Sequence, residues 1–277
     1  MSTEPHAPSA ADRKGCRRAE NPPDLGAPDA VLEVVFGCRA EDVAEDVIVT
    51  PFVPLKSFRR HLGEAPRELS PPFFYTGVTG RFAGRPVTVI LTGVGPGPVG
   101  DGMSFLSLTP ARRVLFVGAV GGLSPDFSIG DWFLPTEAAD GEGYSRYRDL
   151  GFERVVREAR TVSCTGGMEA DLAALLRHRG LPVREGRVFT IGAVAFECRN
   201  NLELLARCGF DALEMELSAF YSAAAHHGLR AAALTYVSDL PLSRSLWEPK
   251  TAEEEEILQG VWRALPRLAL EFLSETP

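Results

Sequence analysis

Residues Val87–Gly102 read VTVILTGVGPGPVGDG. An apolar run leads into Gly95, Gly97 and Gly100, which together spell G-x-G-x-x-G. A dinucleotide-binding loop has this spacing. It works by pointing free backbone N–H groups at a pyrophosphate from the start of a helix. Here Pro96 and Pro98 each remove a donor from that loop. Such a loop also expects an acid roughly 20 residues on, at the end of the next strand, to hold ribose hydroxyls. The chain offers VLFVGAVGG there, without an acid. The stretch therefore reads as a strand, a glycine turn and a helix over residues 98–110, with a ligand other than a dinucleotide.

Working outward, AVLEVVFGC (Ala30–Cys38) reads as a buried first strand, and RAEDVAED as the start of a helix. GRFAGRP carries turn residues between two β-rich runs and predicts a hairpin. VLFVGAV is apolar on both faces, as a central parallel strand should be. SIGDWFLP (Ser128–Pro135) predicts another strand, and REGRVFTIGAVAF a strand ending near Phe196. GGMEADLAALLRHRGL and NLELLARCGF predict helices, ALEMELSAFYSAAAHHGL one long helix, and RAAALTYVSDL a strand ending in Ser-Asp. TAEEEEILQGVWRALPRLALEFLSE closes the chain as a helix whose acidic first turn suits the dipole. Strands and helices alternate, so the expected class is α/β: one three-layer α/β/α domain over residues 30–277 with a mixed, mostly parallel twisted sheet. Ligands in such sheets sit at the C-terminal ends of strands.

The chain has 277 residues, a net charge of -8 and 45% hydrophobic residues, enough for a substantial core. An acidic chain without a long basic run argues against nucleic acid as its partner. No apolar run reaches the ~18 residues of a membrane span. Residues 1–29 lack the apolar centre of a secretory signal and read as a disordered tail. Five scattered cysteines without a C-x-x-C favour neither disulfides nor structural zinc, so a reducing cytoplasm is the expected compartment. No His/Cys/Asp cluster has metal spacing, and no metal or organic cofactor is expected.

Four stretches occur in a telling order: TGRFAGRPVTVILTGVGPGPVG, RVLFVGAVGGLSPDFSIGDWFLP, FDALEMELSAFYSAAAHHGL and ALTYVSDLP. Glu214-Met215-Glu216, followed by a strand ending Ser238-Asp239, is the specific part. Over about residues 31–274 the series resembles the nucleoside phosphorylase and nucleosidase superfamily, which holds bacterial purine nucleoside phosphorylases, uridine phosphorylases and methylthioadenosine/adenosylhomocysteine nucleosidases. The resemblance implies cleavage of the N-glycosidic bond of a nucleoside through an oxocarbenium-like transition state. It also implies a homo-oligomer with sites near subunit interfaces.

By resemblance, Met215 packs under the sugar and Glu216 accepts hydrogen bonds from its hydroxyls. A carboxylate suits that task and favours the developing positive charge. Glu214 is expected to touch the base or its neighbours, and Phe196 to stack on the base. Asp239, oriented by Ser238, corresponds to the acid that protonates the purine ring nitrogen, so a purine is the favoured base. Gly95 and Gly121 let the backbone approach the ligand from two strand ends. GAVAFECRNN lacks the Gln-x-Arg pair that uridine phosphorylases use on uracil, and Arg199 is not assigned that role.

The nucleophile is either water or phosphate. Purine phosphorylases place an Arg and a Ser around the second glycine loop, where this chain has Phe116 and Ala119. In GCRAED, Arg39 matches a phosphate ligand only across a gap; without one, Asp42, with Glu41 beside it, falls on the water-activating acid of nucleosidases. Hydrolysis is the first expectation, and phosphorolysis with inorganic phosphate as co-substrate the alternative. A non-catalytic nucleoside binder is a further one. Arg59 and Arg60 read as surface charges, and His226 and His227 as the dipole-favoured end of a helix.

Overall fold

The computed structural model describes residues 27–63, 65–71, 74–245 and 247–276. The expected tail falls largely outside the described residues. Its last residues do not, because helix α1 (Pro28–Val35) already includes Pro28 and Asp29. The chain continues through β1 (Asp46–Thr50), α2 (Leu55–Arg59), β2 (Arg67–Leu69) and the hairpin β3 (Thr76–Phe82) and β4 (Arg85–Leu91). Helix α3 (Pro96–Leu106), β5 (Arg113–Gly122) and β6 (Trp132–Ala139) follow. Then come α4 (Tyr144–Leu150), α5 (Phe152–Glu158), β7 (Thr161–Ser163), α6 (Met168–His178), β8 (Val183–Thr190) and α7 (Arg199–Arg207). The last elements are β9 (Ala212–Glu214), α8 (Leu217–His227), β10 (Arg230–Asp239) and α9 (Ala252–Glu275).

β5 organises the sheet. Its first half pairs β1 in parallel, its last two residues pair β9 in antiparallel, and β10 runs parallel along its other edge. β10 then pairs β6, β6 pairs β8, and β8 pairs β9, so five strands close into a ring with β1, β4, β3 and β2 as an open wing. The sheet is mixed: β1–β4, β1–β5, β5–β10, β6–β8 and β8–β9 are parallel. Closing the ring and forming the hairpin require the antiparallel pairs.

Alternation along the strands builds the layers. Val47, Val49, Val114 and Phe116 face α1, α3 and α8, meeting Leu32, Met103 and Phe220. Ile48, Leu115, Val117 and Leu234 face the other way, onto Leu172 and Leu176 of α6 and Leu265 and Phe272 of α9. A third cluster joins Tyr147, Phe152, Phe189 and Leu205 under the ring. Among the described residues no helix is long and apolar enough to cross a membrane.

Several expectations need correction. Ala30–Cys38 is not a strand but belongs mostly to α1: Leu32, Val35 and Phe36 recur at helical spacing and are buried, while Val34 is exposed. The helix expected in RAEDVAED is a single 3-10 turn, Ala40–Asp42, and the first strand is the fully buried DVIVT after it. β6 starts later than expected because Ser128–Asp131 is a turn closed by Ser128 N–H on Asp131. β8 ends at Thr190, and Val194–Phe196 is a 3-10 turn. The long helix expected from Ala212 is a strand, a bend at Met215-Glu216, and then α8.

Candidate active site

That bend is where the site begins. Glu214 ends β9 with its carboxylate buried against the start of α8. Oε2 accepts the N–H groups of Glu216 and Leu217, each at 2.6 Å, and Oε1 accepts the Thr190 hydroxyl. An acid at this point takes up the orphan amides of a helix N-terminus, which explains why the apolar series breaks here. The Ser218 N–H in turn donates to Thr190 Oγ1 at 2.9 Å, and the Ser218 hydroxyl donates to Glu142. Glu214 therefore holds the bend rather than offering free oxygens to a base.

Glu216 is held from the opposite side. The Gly95 N–H donates to its Oε1 at 2.7 Å. Gly95 has φ +114°, a conformation that favours glycine, and it caps α3. The loop that resembled a pyrophosphate cradle thus gives its first amide to a carboxylate of its own chain. Burial pushes the carboxyls of Glu214 and Glu216 up from their ordinary range. The charge of Glu216 adds to the effect on Glu214, while the hydrogen bonds oppose it.

β10 ends beside this bend. Its last residue, Asp239, sits next to Gly121 of β5, and Ser238 Oγ donates to Asp239 Oδ1 at 2.6 Å. Burial raises the Asp239 carboxyl, and the Ser238 hydroxyl and the Lys250 ammonium pull it partly back. A Cβ at Gly121 would crowd Leu213 Cδ2 at 3.0 Å and touch Asp239 Oδ2 at 3.4 Å, so glycine here keeps the space beside the carboxyl open.

These groups line one cavity of about 180 Å³ at the C-terminal ends of β5 and β10. Its walls include Phe52, Val94, Ala119, Gly121, Met215 and Val194, and the carboxylates Glu197, Glu214, Glu216 and Asp239. β1 and β9 leave the same edge of β5 in succession, so the cavity opens where the sheet changes partner, the expected place for a ligand.

The structure thus brings together Met215, Glu214, Glu216, Gly95, Gly121, Ser238 and Asp239. It does not bring in Asp42, Glu41 or Arg39. Those three line a separate groove with Asp29, Glu33 and Arg67. Asp42 is committed there: it accepts the Arg39 N–H at 2.9 Å and pairs with the Arg67 guanidinium. The expected water-activating acid and the expected phosphate ligand are corrected accordingly; α1 and the 3-10 turn hold them away from the strand ends. Phe196 is also outside the lining. Its ring packs 4.6 Å from Tyr147 and under Arg148, and Val194 takes the wall position. Phe116 is buried, 5.5 Å from Phe220. Arg59 pairs with Glu68 on the surface.

The sequence reading missed Phe52, Val194 and Glu197. Phe52 follows an unrecognised β1, and Glu197 directly follows Phe196, the residue already singled out. Among the described residues no group of three or more His, Cys, Asp or Glu is placed to hold a metal ion.

The family model for the phosphorylase superfamily matches residues 47–274, from β1 to the end of α9. The chain belongs to the phosphorylase superfamily. It is an enzyme that cleaves N-glycosidic bonds. A purine nucleoside phosphorylase DeoD-type of Myxococcus xanthus is 32% identical over 199 residues, covering 70% of this chain and 80% of the relative. Uridine phosphorylase from Vibrio fischeri shares the fold with a TM-score of 0.71 at 17% identity, over 85% of this chain and 94% of that one. AMP nucleosidase from Bacteroides thetaiotaomicron does so with a TM-score of 0.66 at 20% identity, over 90% and 96%. Superfamily membership agrees with the resemblance carried by Glu214-Met215-Glu216 and Ser238-Asp239.

Proposed function

We propose that this superfamily member is a purine-favouring nucleosidase with water as the nucleophile. One observation carries the reading: among the described residues, the cavity is lined by four carboxylates and no Lys or Arg. A phosphate dianion there would meet repulsion in a poorly solvated site, with no guanidinium in the described lining; Arg244 of the adjoining recess is already paired with Glu254. Water carries no such penalty. Phe52, Val94 and Ala119 supply an apolar wall instead of an anion cradle.

The chemistry follows from the charges. Met215 and Glu216 take the sugar. The Glu216 carboxylate, fixed by Gly95, favours the positive charge that develops as the C1′–N bond lengthens. Asp239, whose carboxyl burial pushes up from its ordinary range, gives its proton to a ring nitrogen of the departing purine. Water then adds to C1′, releasing free sugar. Phosphorolysis is the second reading, favoured by the phosphorylase name of the Myxococcus xanthus relative.

Two exposed apolar walls, Phe52 at 43% and Val94 at 53%, stand at the cavity. A second copy of the chain covers them in the homo-oligomer we infer; light scattering of the purified protein tests that.

The deciding experiment measures free base released from adenosine, inosine, guanosine and uridine, with and without phosphate. Purine release without phosphate, yielding free sugar, is expected. Strict dependence on phosphate, yielding sugar 1-phosphate, overturns the hydrolytic reading.

A further inference from the structure

Glu197 is the cavity acid to which neither the steps above nor the β9–α8 bend gives a role. It enters from the turn between β8 and α7 and lines the same cavity as Asp239, which enters from β10. Two further recesses adjoin, of about 240 Å³ at Asp239 and about 340 Å³ at Glu197. Ser243, Arg244, Ser245 and Glu248 are common to both, so the two acids stand at the junction of one continuous cleft. Among the described residues no donor hydrogen-bonds the Glu197 carboxyl, whereas Asp239 has Ser238 on Oδ1.

We propose that Glu197 and Asp239 act as a carboxyl pair that retains one proton in the cavity for the departing base, with Glu197 as the positioning residue. The proposal rests on the glycosidic-cleavage reading above. Two like charges in a poorly solvated site do not both ionise readily, so the last proton is kept to higher pH than either acid alone would keep it. The Glu197 carboxyl is pushed up to about 7, by burial first and by the charge of Asp239 second. Glu214 and Glu216 face the pair from the β9–α8 wall of the same cavity. Arg244, Glu248 and Lys250 face it from the segment after β10. Arg244 is paired with Glu254, and Arg199 beside Glu197 with Glu203, so Lys250 is left to oppose the effect on Asp239.

The step balances. The C1′–N bond breaks with its electron pair passing to the base, the pair's proton goes to the base nitrogen, and both carboxyls are then ionised. Addition of water to C1′ releases the proton that restores the pair.

The test compares the wild type with Glu197→Gln and Glu197→Asp, recording kcat/KM for inosine against pH. A parallel series uses p-nitrophenyl β-D-ribofuranoside, whose leaving group departs without a proton. For Glu197→Gln the alkaline limb is expected to move down by about one pH unit, a loss of about tenfold above it. Glu197→Asp lies between, and the aryl riboside is cleaved as by the wild type. An unmoved limb overturns the pair, and so does an equal loss on both substrates, which marks a structural role. If the wild type needs phosphate, the hydrolytic reading fails while the same comparison, run with phosphate, still decides the pair.

Discussion

In the proposed mechanism Glu216 and Asp239 do opposite electrostatic work within the one small cavity they line. Glu216 must be ionised to favour the sugar cation, and Asp239 must be protonated to help the base leave. Glu216→Gln keeps the shape and the Gly95 contact but removes the charge. It is expected to lower kcat/KM by about 10²–10³-fold, as loss of one preorganised electrostatic group does. Asp239→Asn removes the acid and is expected to cost about 10²–10⁴-fold on purine nucleosides in a base-release assay. Unchanged turnover would remove either residue from its role. Stability follows the same groups. Glu197, Glu214, Glu216 and Asp239 all have folded-state values above the ordinary range. The stability they contribute is complete below their unfolded values and is lost as pH rises through the folded ones. The ligand-free protein should therefore show a higher urea midpoint at pH 5.5 than at pH 8. A midpoint that rises with pH across that window would contradict the burial assigned to these carboxyls.

At the scale of elements, three short connections place these residues. The bend between β9 and α8 is held by Glu214, the start of α3 by Gly95, and the end of β5 is kept open by Gly121. Gly121→Ala places a Cβ 3.0 Å from Leu213 Cδ2 and 3.4 Å from Asp239 Oδ2. Turnover should fall more than tenfold while stability changes by about 1 kcal/mol, the ordinary cost of local overpacking; wild-type turnover would mean that the cavity does not need this opening. The same elements show what was legible beforehand. Glu216 and Asp239 could be read because acids at the edge of apolar runs stand out, and the family resemblance gave them and Met215 their roles. The β9–α8 break could not, because ALEMEL suits a helix until the carboxylate of Glu214 is seen to cap one. Asp42 and Glu41 were misplaced because a strand was read into α1, which shifted the loop onto the wrong strand end. Glu197 lies in an aperiodic turn. Only ring closure through β8 and β9 sets it beside the end of β10.

Across the whole molecule, the open wing, the central strand and the last helix meet at one buried ion pair. Arg113, at the start of β5, donates from Nε to Asp46 Oδ1 at 2.7 Å and from Nη2 to Asp46 Oδ2 at 2.8 Å. The same guanidinium donates to the carbonyls of Leu273 and Thr276, at 2.7 and 2.6 Å, at the end of α9. β1, β5 and the C-terminus are thereby fixed at the end of the sheet opposite the cavity. Both side chains are less than a tenth exposed, so neither charge has water to fall back on. Arg113→Met leaves Asp46 with the longer 3.4 Å contact to the half-exposed Arg85, takes the guanidinium donor from the Leu273 carbonyl, and leaves the Thr276 carbonyl with Arg85 Nη1 at 3.3 Å. The expected loss is about 3–5 kcal/mol in urea unfolding, the range for a buried pair broken from one side. Asp46→Leu combined with Arg113→Met removes both charges, and should recover part of that loss, because the desolvation of an unpartnered carboxylate disappears. Full additivity of the two single losses would show that the pair is not coupled. The cavity lies at the far ends of β5 and β10, so the double variant, once folded, should keep wild-type KM for its nucleoside. A KM raised in step with the lost stability would mean instead that the strand ends carrying Gly121 and Asp239 depend on this anchor for their spacing.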